Sequence, residues 1–306
     1  MDKKLVNQLD VTSFSQCLNI NSIFRKNYQT TSASDYNLTL PTSIQNVVSM
    51  SVQDISPSAP IYNFTRKNGN VSFRIRIGAD AADAALPANI TDIFIPEGNW
   101  SFSGIIKVIQ SLLPANVSVL PVQDANYVGG ATRIAFRYTS TDPSRIYINF
   151  NHDEKIPLQQ TLGWELGFRY KEYTSISTAD NPNPTIIAES LYNENPPSFF
   201  LSVDEFSNAK FNPFKLAFEE SIADSNIICK FVTPGSESGS NLTQGSIITA
   251  APIKYTGPVD INKLRIKIID QFGRTVDMQG IDVSITLVFT RLYTSNKGLS
   301  LGDIRS

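Results

Sequence analysis

The 306-residue sequence predicts an all-β chain folded as an antiparallel sandwich, and three observations carry that prediction. The first is strict alternation near the C-terminus. In the run from Lys263 to Asp270, Leu264, Ile266 and Ile268 share one face, and Arg265 and Lys267 share the other. In the next run Ile281, Val283, Ile285, Leu287 and Phe289 lie opposite Asp282, Ser284, Thr286 and Thr290. A period of two marks a strand with one dry face and one wet face. The second observation is a series of short apolar runs punctuated by Gly, Pro, Asn and Asp. The third is that these runs do not alternate with helices, which argues against a parallel α/β sheet.

Residues 1–35 lack sustained periodicity and read as an N-terminal arm with scattered anchors: Leu18, Ile20, Ile23, Phe24 and Tyr28, with Arg25 and Lys26 among them. Strand-like runs follow at 36–40, 45–52, 61–64 and 71–77. Arg66-Lys-Asn-Gly-Asn70 has hairpin chemistry, because Asn and Gly supply positive φ angles. Residues 79–88 are Ala/Asp-rich and proline-bounded, a loop; 92–95 is a short strand. The one helix expected is at 103–113, where Ile105, Ile106, Ile109, Leu112 and Leu113 recur at helical spacing, Ser101 or Ser103 caps the start and Pro114 stops the run. Strands resume at 116–122, 133–139 and 145–150. Residues 162–168 form a turn-rich aromatic segment and 171–185 a polar loop. Further strands are expected at 185–191, 198–203 and 226–232, with an exposed loop at 234–245. Roughly ten to twelve short strands around one helix suit a β-sandwich or jelly roll. The implied organisation is an arm at 1–35, a single jelly-roll domain at 36–293 and a C-terminal tail at 294–306.

Composition narrows the function classes. Charged residues are only 18%, so the polar surface is built largely from Ser, Thr, Asn and Gln, which suits packed contacts better than a solitary charge-solvated monomer. With 26 basic and 28 acidic residues the net charge is −2, which gives no global field for nucleic acid. Cys17 and Cys229 are far apart and form no CxxC pair, and no run has the length of a signal peptide or a membrane span.

No pattern in the chain calls for catalysis. The lone histidine, His152, sits in a charged turn. Asp80, Asp83 and Asp92 lack the spacing of a cation loop. Asp204-Glu205 and Glu219-Glu220 are the available carboxylate pairs for acid/base work, with surface acids as the default reading. There is no phosphate-binding glycine loop, dinucleotide fingerprint or zinc-protease motif. The expected catalytic, metal and cofactor sets are therefore empty, and the chain reads as a non-enzyme.

Three segments together resemble the jelly-roll capsid proteins of large icosahedral DNA viruses, specifically the penton (vertex) and minor-capsid group of the nucleocytoplasmic large DNA viruses. The first is Ile93-Phe-Ile-Pro-Glu-Gly-Asn-Trp100, containing Pro96, Gly98 and Trp100, which leads into the helix. The second is Leu162-Gly-Trp-Glu-Leu-Gly-Phe168, containing Gly163, Trp164, Gly167 and Phe168. The third runs from Tyr255 to Arg274 and contains Gly257, Pro258 and Gly273. The resemblance spans roughly residues 20–293. It implies a single jelly roll standing upright in a shell, five copies closing each fivefold vertex, with no cofactor. Its implied partners are further copies of itself (a homopentamer) and the major and minor capsid proteins of the same virion. The implied location is the virion vertex, after synthesis and assembly in the host cytoplasm. Neither a membrane span nor specific nucleic-acid binding is expected. Interface anchors are expected at Phe24, Arg25 and Tyr28, because aromatics and Arg favour interface cores, and at Arg265 and Lys267 on the outer face of the closing strands. The alternatives are another single-jelly-roll minor capsid protein, or a carbohydrate-binding jelly roll presenting Tyr170 and Tyr173.

Overall fold

The computed structural model describes residues 12–123, 132–140, 143–193, 198–218, 221–222, 226–233 and 246–293. In chain order the strands are β1 (Thr12–Asn21), β2 (Asp35–Pro57), β3 (Ser72–Gly78), β4 (Ile90–Phe94), β5 (Val117–Gln123), β6 (Thr132–Tyr138), β7 (Ser144–Asn149) and β8 (Glu172–Ser177). They continue as β9 (Thr185–Ile187), β10 (Ser198–Asp204), β11 (Lys210–Phe211), β12 (Ile227–Val232), β13 (Ser246–Ala250), β14 (Ile253–Asp270) and β15 (Val283–Tyr293). The helices are α1 (Ala81–Ala84), α2 (Phe102–Leu112) and α3 (Leu162–Glu165). The named strand pairs are all antiparallel, so the chain is all-β with a few short helices, the class of a jelly-roll β-sandwich.

Contacts divide the chain into two compact units, where the sequence suggested one domain over 36–293. Unit 1 comprises residues 1–61, 197–234 and 240–306. It holds a sheet in the order β1-β15-β2-β14-β10-β12-β13, with β11 attached to β14. Ile20 on β1 and Phe231 on β12 stand near opposite ends of that sheet yet belong to one core with Met50, Ile55, Leu201, Ile266 and Phe289. The sheet must therefore curve around a shared interior, as the halves of a sandwich do. Unit 2 comprises residues 62–196 and 235–239. It holds two smaller sheets, β4-β3-β7-β8 and β5-β6-β9. Phe73 and Ile148 from the first, Val119 and Phe136 from the second, and Ile105 and Ile109 of α2 share one core. Helix α2 forms where its spacing predicts, with the Ser101 hydroxyl accepting from the Gly104 N–H at 3.2 Å.

Several elements differ from the sequence expectation. The runs at 36–40 and 45–52 are one strand, β2. Thr39 faces Lys263 and Ile44 faces Ile261, so β2 bulges against β14 and Pro41 sits inside the bulge, where a missing N–H is tolerated. Residues 12–21, placed in the arm, form β1 and pair with β15 along their whole length. Their apolar signal is short because only Leu18 and Ile20 turn inward on a strand of Ser, Gln and Asn. Residues 61–64 form no strand; Phe64 and Gly98 make one isolated bridge. The loop at 79–88 contains α1, capped by Asp80 through the Ala82 and Asp83 N–H groups. The polar 171–185 segment contains β8, and β13 follows the 234–245 stretch, which lies outside the described residues. Strand β14 starts at Ile253 rather than Lys263. Gly257-Pro258 hides its first half, and these residues lie where the pairing with β2 shifts register.

Candidate assembly surface

The expected anchors Phe24, Arg25 and Tyr28 sit on the turn that follows β1, and the structure separates them. Ser22–Phe24 is a single 3-10 turn, with the Asn21 side chain accepting from the Ile23 N–H. Asp282, just before β15, gathers the surrounding polar groups. Arg25 Nη1 and Ser22 Oγ each donate to its Oδ1 at 2.7 Å, and the Tyr28 hydroxyl donates to its Oδ2 at 2.9 Å. Arg25 also donates to the Ser22, Thr31 and Tyr28 carbonyls, and its guanidinium lies 3.8 Å from the Tyr28 ring centroid. The Arg25 side chain is only 6% exposed, so it is an internal staple rather than a surface anchor. Partial burial pushes the Asp282 carboxyl up, but hydrogen bonds from Ser22, Tyr28 and Arg25 and the Arg25 charge outweigh it and hold the group below its usual range. Tyr36 nearby has a buried hydroxyl, and burial raises its pKa. Phe24, on the same turn, is 86% exposed.

Arg265 and Lys267 lie on an interior strand of the sheet, between β2 and β10. Arg265 forks onto Asp35 with bonds of 3.0 and 2.9 Å, so its guanidinium already has a carboxylate within the chain. Lys267 is half-buried.

The motif residues prove to be shape-determining. Pro96 accepts at its carbonyl from the Trp100 indole N–H at 3.1 Å, and Gly98 exchanges two backbone hydrogen bonds with Phe64 at 3.0 Å. Phe168 is fully buried and stacks on Phe150 at 4.6 Å. Gly163 lies so close to Phe150 that a Cβ would fall 2.3 Å from the ring. Gly167 has φ +99°, and its Cβ would fall 2.2 Å from the Ser190 carbonyl oxygen. The Trp164 ring carries the Arg169 guanidinium at 4.2 Å. Gly273, at φ +77°, sits in the turn after β14, where Asp270 accepts from the Phe272 and Arg274 N–H groups. Gly257 and Pro258 occupy the irregular part of β14.

The residues weighed for chemistry are scattered. His152 lines a cleft of about 250 Å³ with Arg74, Arg76, Asn149, Asn151 and Glu154. Its arginines are spoken for: Arg74 forks onto Asp92, and Arg76 pairs with Glu172. Burial pushes His152 below its ordinary pKa. Asp83 accepts from the Ala79 N–H and Asp80 caps α1. Asp204 and Glu205 both bind Lys210, and burial raises the Glu205 pKa. Glu219 and Glu220 lie outside the described residues. Tyr173 donates to Glu189 at 2.6 Å, and Tyr170 is exposed beside it. Cys17 is exposed; Cys229 is buried, which pushes its thiol up to about 12. Among the described residues no group of three or more His, Cys, Asp or Glu side chains could hold a metal, and no helix is long and apolar enough to cross a membrane.

Sequence reasoning missed the apolar side chains that unit 1 presents outward. Phe206, Phe211, Ile222 and Ile248 are 51–63% exposed. Phe206 has φ +63°, a conformation rare for a bulky residue, and Lys263 Nζ stands 5.1 Å from its ring centroid. The signal available in sequence was Phe211-Asn-Pro-Phe214, a turn flanked by aromatics without helical or strand periodicity.

No protein-family model and no curated protein matches the chain. Among solved structures it is similar to a chain in the 3.5 Å cryo-EM structure of the Sputnik virophage. Identity there is 15%, over 90% of this chain and 98% of that one, with a TM-score of 0.39. It is also similar to the mavirus penton protein, with 8% identity over 92% of this chain and all of that one, and a TM-score of 0.36. At such identities and TM-scores below 0.5, the overlap by itself assigns no role.

Proposed function

We propose that this chain is a structural virion protein, the penton capsomer that closes the fivefold vertices of an icosahedral DNA-virus capsid as a homopentamer. The observation that carries the reading is the exposed apolar surface, which unit 2 shares through Leu86, Phe94 and Tyr170 and unit 1 shows most fully. A chain with only 18% charged residues displays Phe24, Phe206, Phe211, Ile222 and Ile248 to solvent. Scattered exposed apolar residues are ordinary, but several large ones on a weakly charged surface are the composition of faces covered by partners. The three segments that carry the family resemblance support it in a second way. Their residues set turns and packing, as structural motifs of a capsid fold would. The remaining partners are the major and minor capsid proteins of the same virion, and the working location is the capsid vertex after assembly in the host cytoplasm. Locating the chain in a cryo-EM map of purified particles tests this reading. Density at the fivefold axes is the expected result. Particles lacking the chain, or holding it only away from the vertices, would overturn it.

A further inference from the structure

Among the described residues the large sheet of unit 1 ends in two edges, β1 on one side and β13 on the other. Among the described residues β1 pairs with β15 and β13 with β12. Among the described residues no strand pairs with the outer side of either, and a strand edge of this kind offers backbone N–H and C=O groups to another strand. Proteins ordinarily protect such edges with lysines, prolines, inward charges or bulges. Strand β1 has none of these over ten residues. Its sequence, Thr-Ser-Phe-Ser-Gln-Cys-Leu-Asn-Ile-Asn, carries no charge and no proline, and its register with β15 is unbroken from Thr12↔Tyr293 to Asn21↔Ser284. Strand β13, Ser-Ile-Ile-Thr-Ala, is likewise uncharged and proline-free. Its pairing with β12 shifts once, between Lys230 and Phe231, at the level of Ile248, whose side chain is 56% exposed.

We propose that the β1 edge of one subunit receives the β13 edge of a second copy of this chain, head to tail, so that the sheet of unit 1 continues from subunit to subunit. The proposal rests on the capsomer reading and names the contact that closes the ring. Two features select a second copy as the occupant. Both edges are electrically neutral, so neither repels the other, whereas a charged peptide would meet no counter-charge on either strand. And β1 and β13 are different surfaces at opposite ends of one sheet, so joining them is a heterologous contact, the kind that closes rings. Pairing β1 with β1 would instead be isologous and would stop at a dimer. Ile248 on β13, 56% exposed, supplies an apolar side chain for cross-strand contact.

Cys17 lies near the middle of β1 and is exposed, so the chain carries its own cross-linking probe. Ile248→Cys and Thr249→Cys each place a second thiol on β13, within disulfide reach of Cys17 for neighbouring registers. Mild oxidation of these variants should give a ladder of covalent multimers up to the pentamer on a non-reducing gel, and Cys17→Ser should abolish it. A second variant, Ser13→Lys with Ser15→Lys, guards the β1 edge without touching its inward Leu18 and Ile20 or the Asn19 bonds to Thr286 and Ser284. It should run as a monomer in light scattering while keeping the parent's circular dichroism and melting temperature. A lysine variant that stays pentameric, together with no ladder from either cysteine variant, would overturn the edge pairing and leave the capsomer reading intact. Cross-linked dimers that need Cys17 alone would replace head-to-tail pairing with the isologous one. A parent chain that is monomeric would remove the capsomer reading and this contact with it.

Discussion

In unit 2 the rings of Phe73, Phe136, Phe150, Phe168 and Tyr173 pack with centroids 4.6–6.2 Å apart, whereas the N-terminal turn of unit 1 is held by one carboxylate, Asp282. The aromatic cluster is locked by shape: Gly163 and Gly167 exist where a Cβ would strike Phe150 or the Ser190 carbonyl. The turn is locked by charge and hydrogen bonds, which leaves its apolar residue, Phe24, free to face outward. A shape-locked core tolerates changes of pH but no change of volume. A charge-locked turn tolerates substitution at Phe24 but depends on the ionisation of Asp282.

That contrast predicts a graded series of effects. Phe168→Ala should be the most damaging, destabilising the protein by about 3–5 kcal/mol in urea unfolding, because it empties a fully buried ring position. Gly167→Ala should cost about 1–3 kcal/mol from the forced contact alone, with added strain from its positive φ. Asp282→Ala should cost about 1.5–3 kcal/mol by removing charged hydrogen bonds from Ser22, Arg25 and Tyr28 and leaving a buried guanidinium without its carboxylate. The last effect should depend on pH, with a definite sign. The folded pKa of Asp282 lies below the ordinary aspartate value, so its contribution is fully present above that ordinary value and is lost as pH falls through the folded pKa. The stability gap between the parent and Asp282→Asn should therefore shrink from about pH 7 to about pH 3, while the gap for Phe168→Ala should hold steady over the same span. Phe24→Ala should shift stability by no more than about 0.5 kcal/mol while weakening self-association in light scattering. A Phe24 variant that unfolds, or a Phe168 variant that matches the parent, would erase the distinction between the two regions.

The legible and illegible parts of the sequence follow the same physics. The dry faces of β14 and β15 were readable because Leu264, Ile266, Ile268, Val283, Ile285, Leu287 and Phe289 alternate without interruption and are all buried. Helix α2 was readable from its spacing and its serine cap. Strands β1 and β8 were not, because their inward faces carry few apolar residues (Leu18 and Ile20 on β1, Tyr173 beside Ser175 and Ser177 on β8) and the apolar Ile176 of β8 faces outward. The joining of 36–40 to 45–52 was hidden by Pro41, whose bulge is defined only by the partner strand. The division into two units was illegible for a related reason. Unit 1 is assembled from separated stretches, and nothing local marks residue 62 as the start of another core. At the surface, composition pointed to Phe24, Arg25 and Tyr28 alike, but only tertiary contacts separate the exposed ring from the buried guanidinium.

The most direct test of the account is the mass of the purified full chain in solution, measured by light scattering across a dilution series. A pentamer that persists on dilution is the expected result, with Phe24→Ala and the β1 lysine variant shifted toward monomer. A parent protein that is a monomer at every concentration would contradict it.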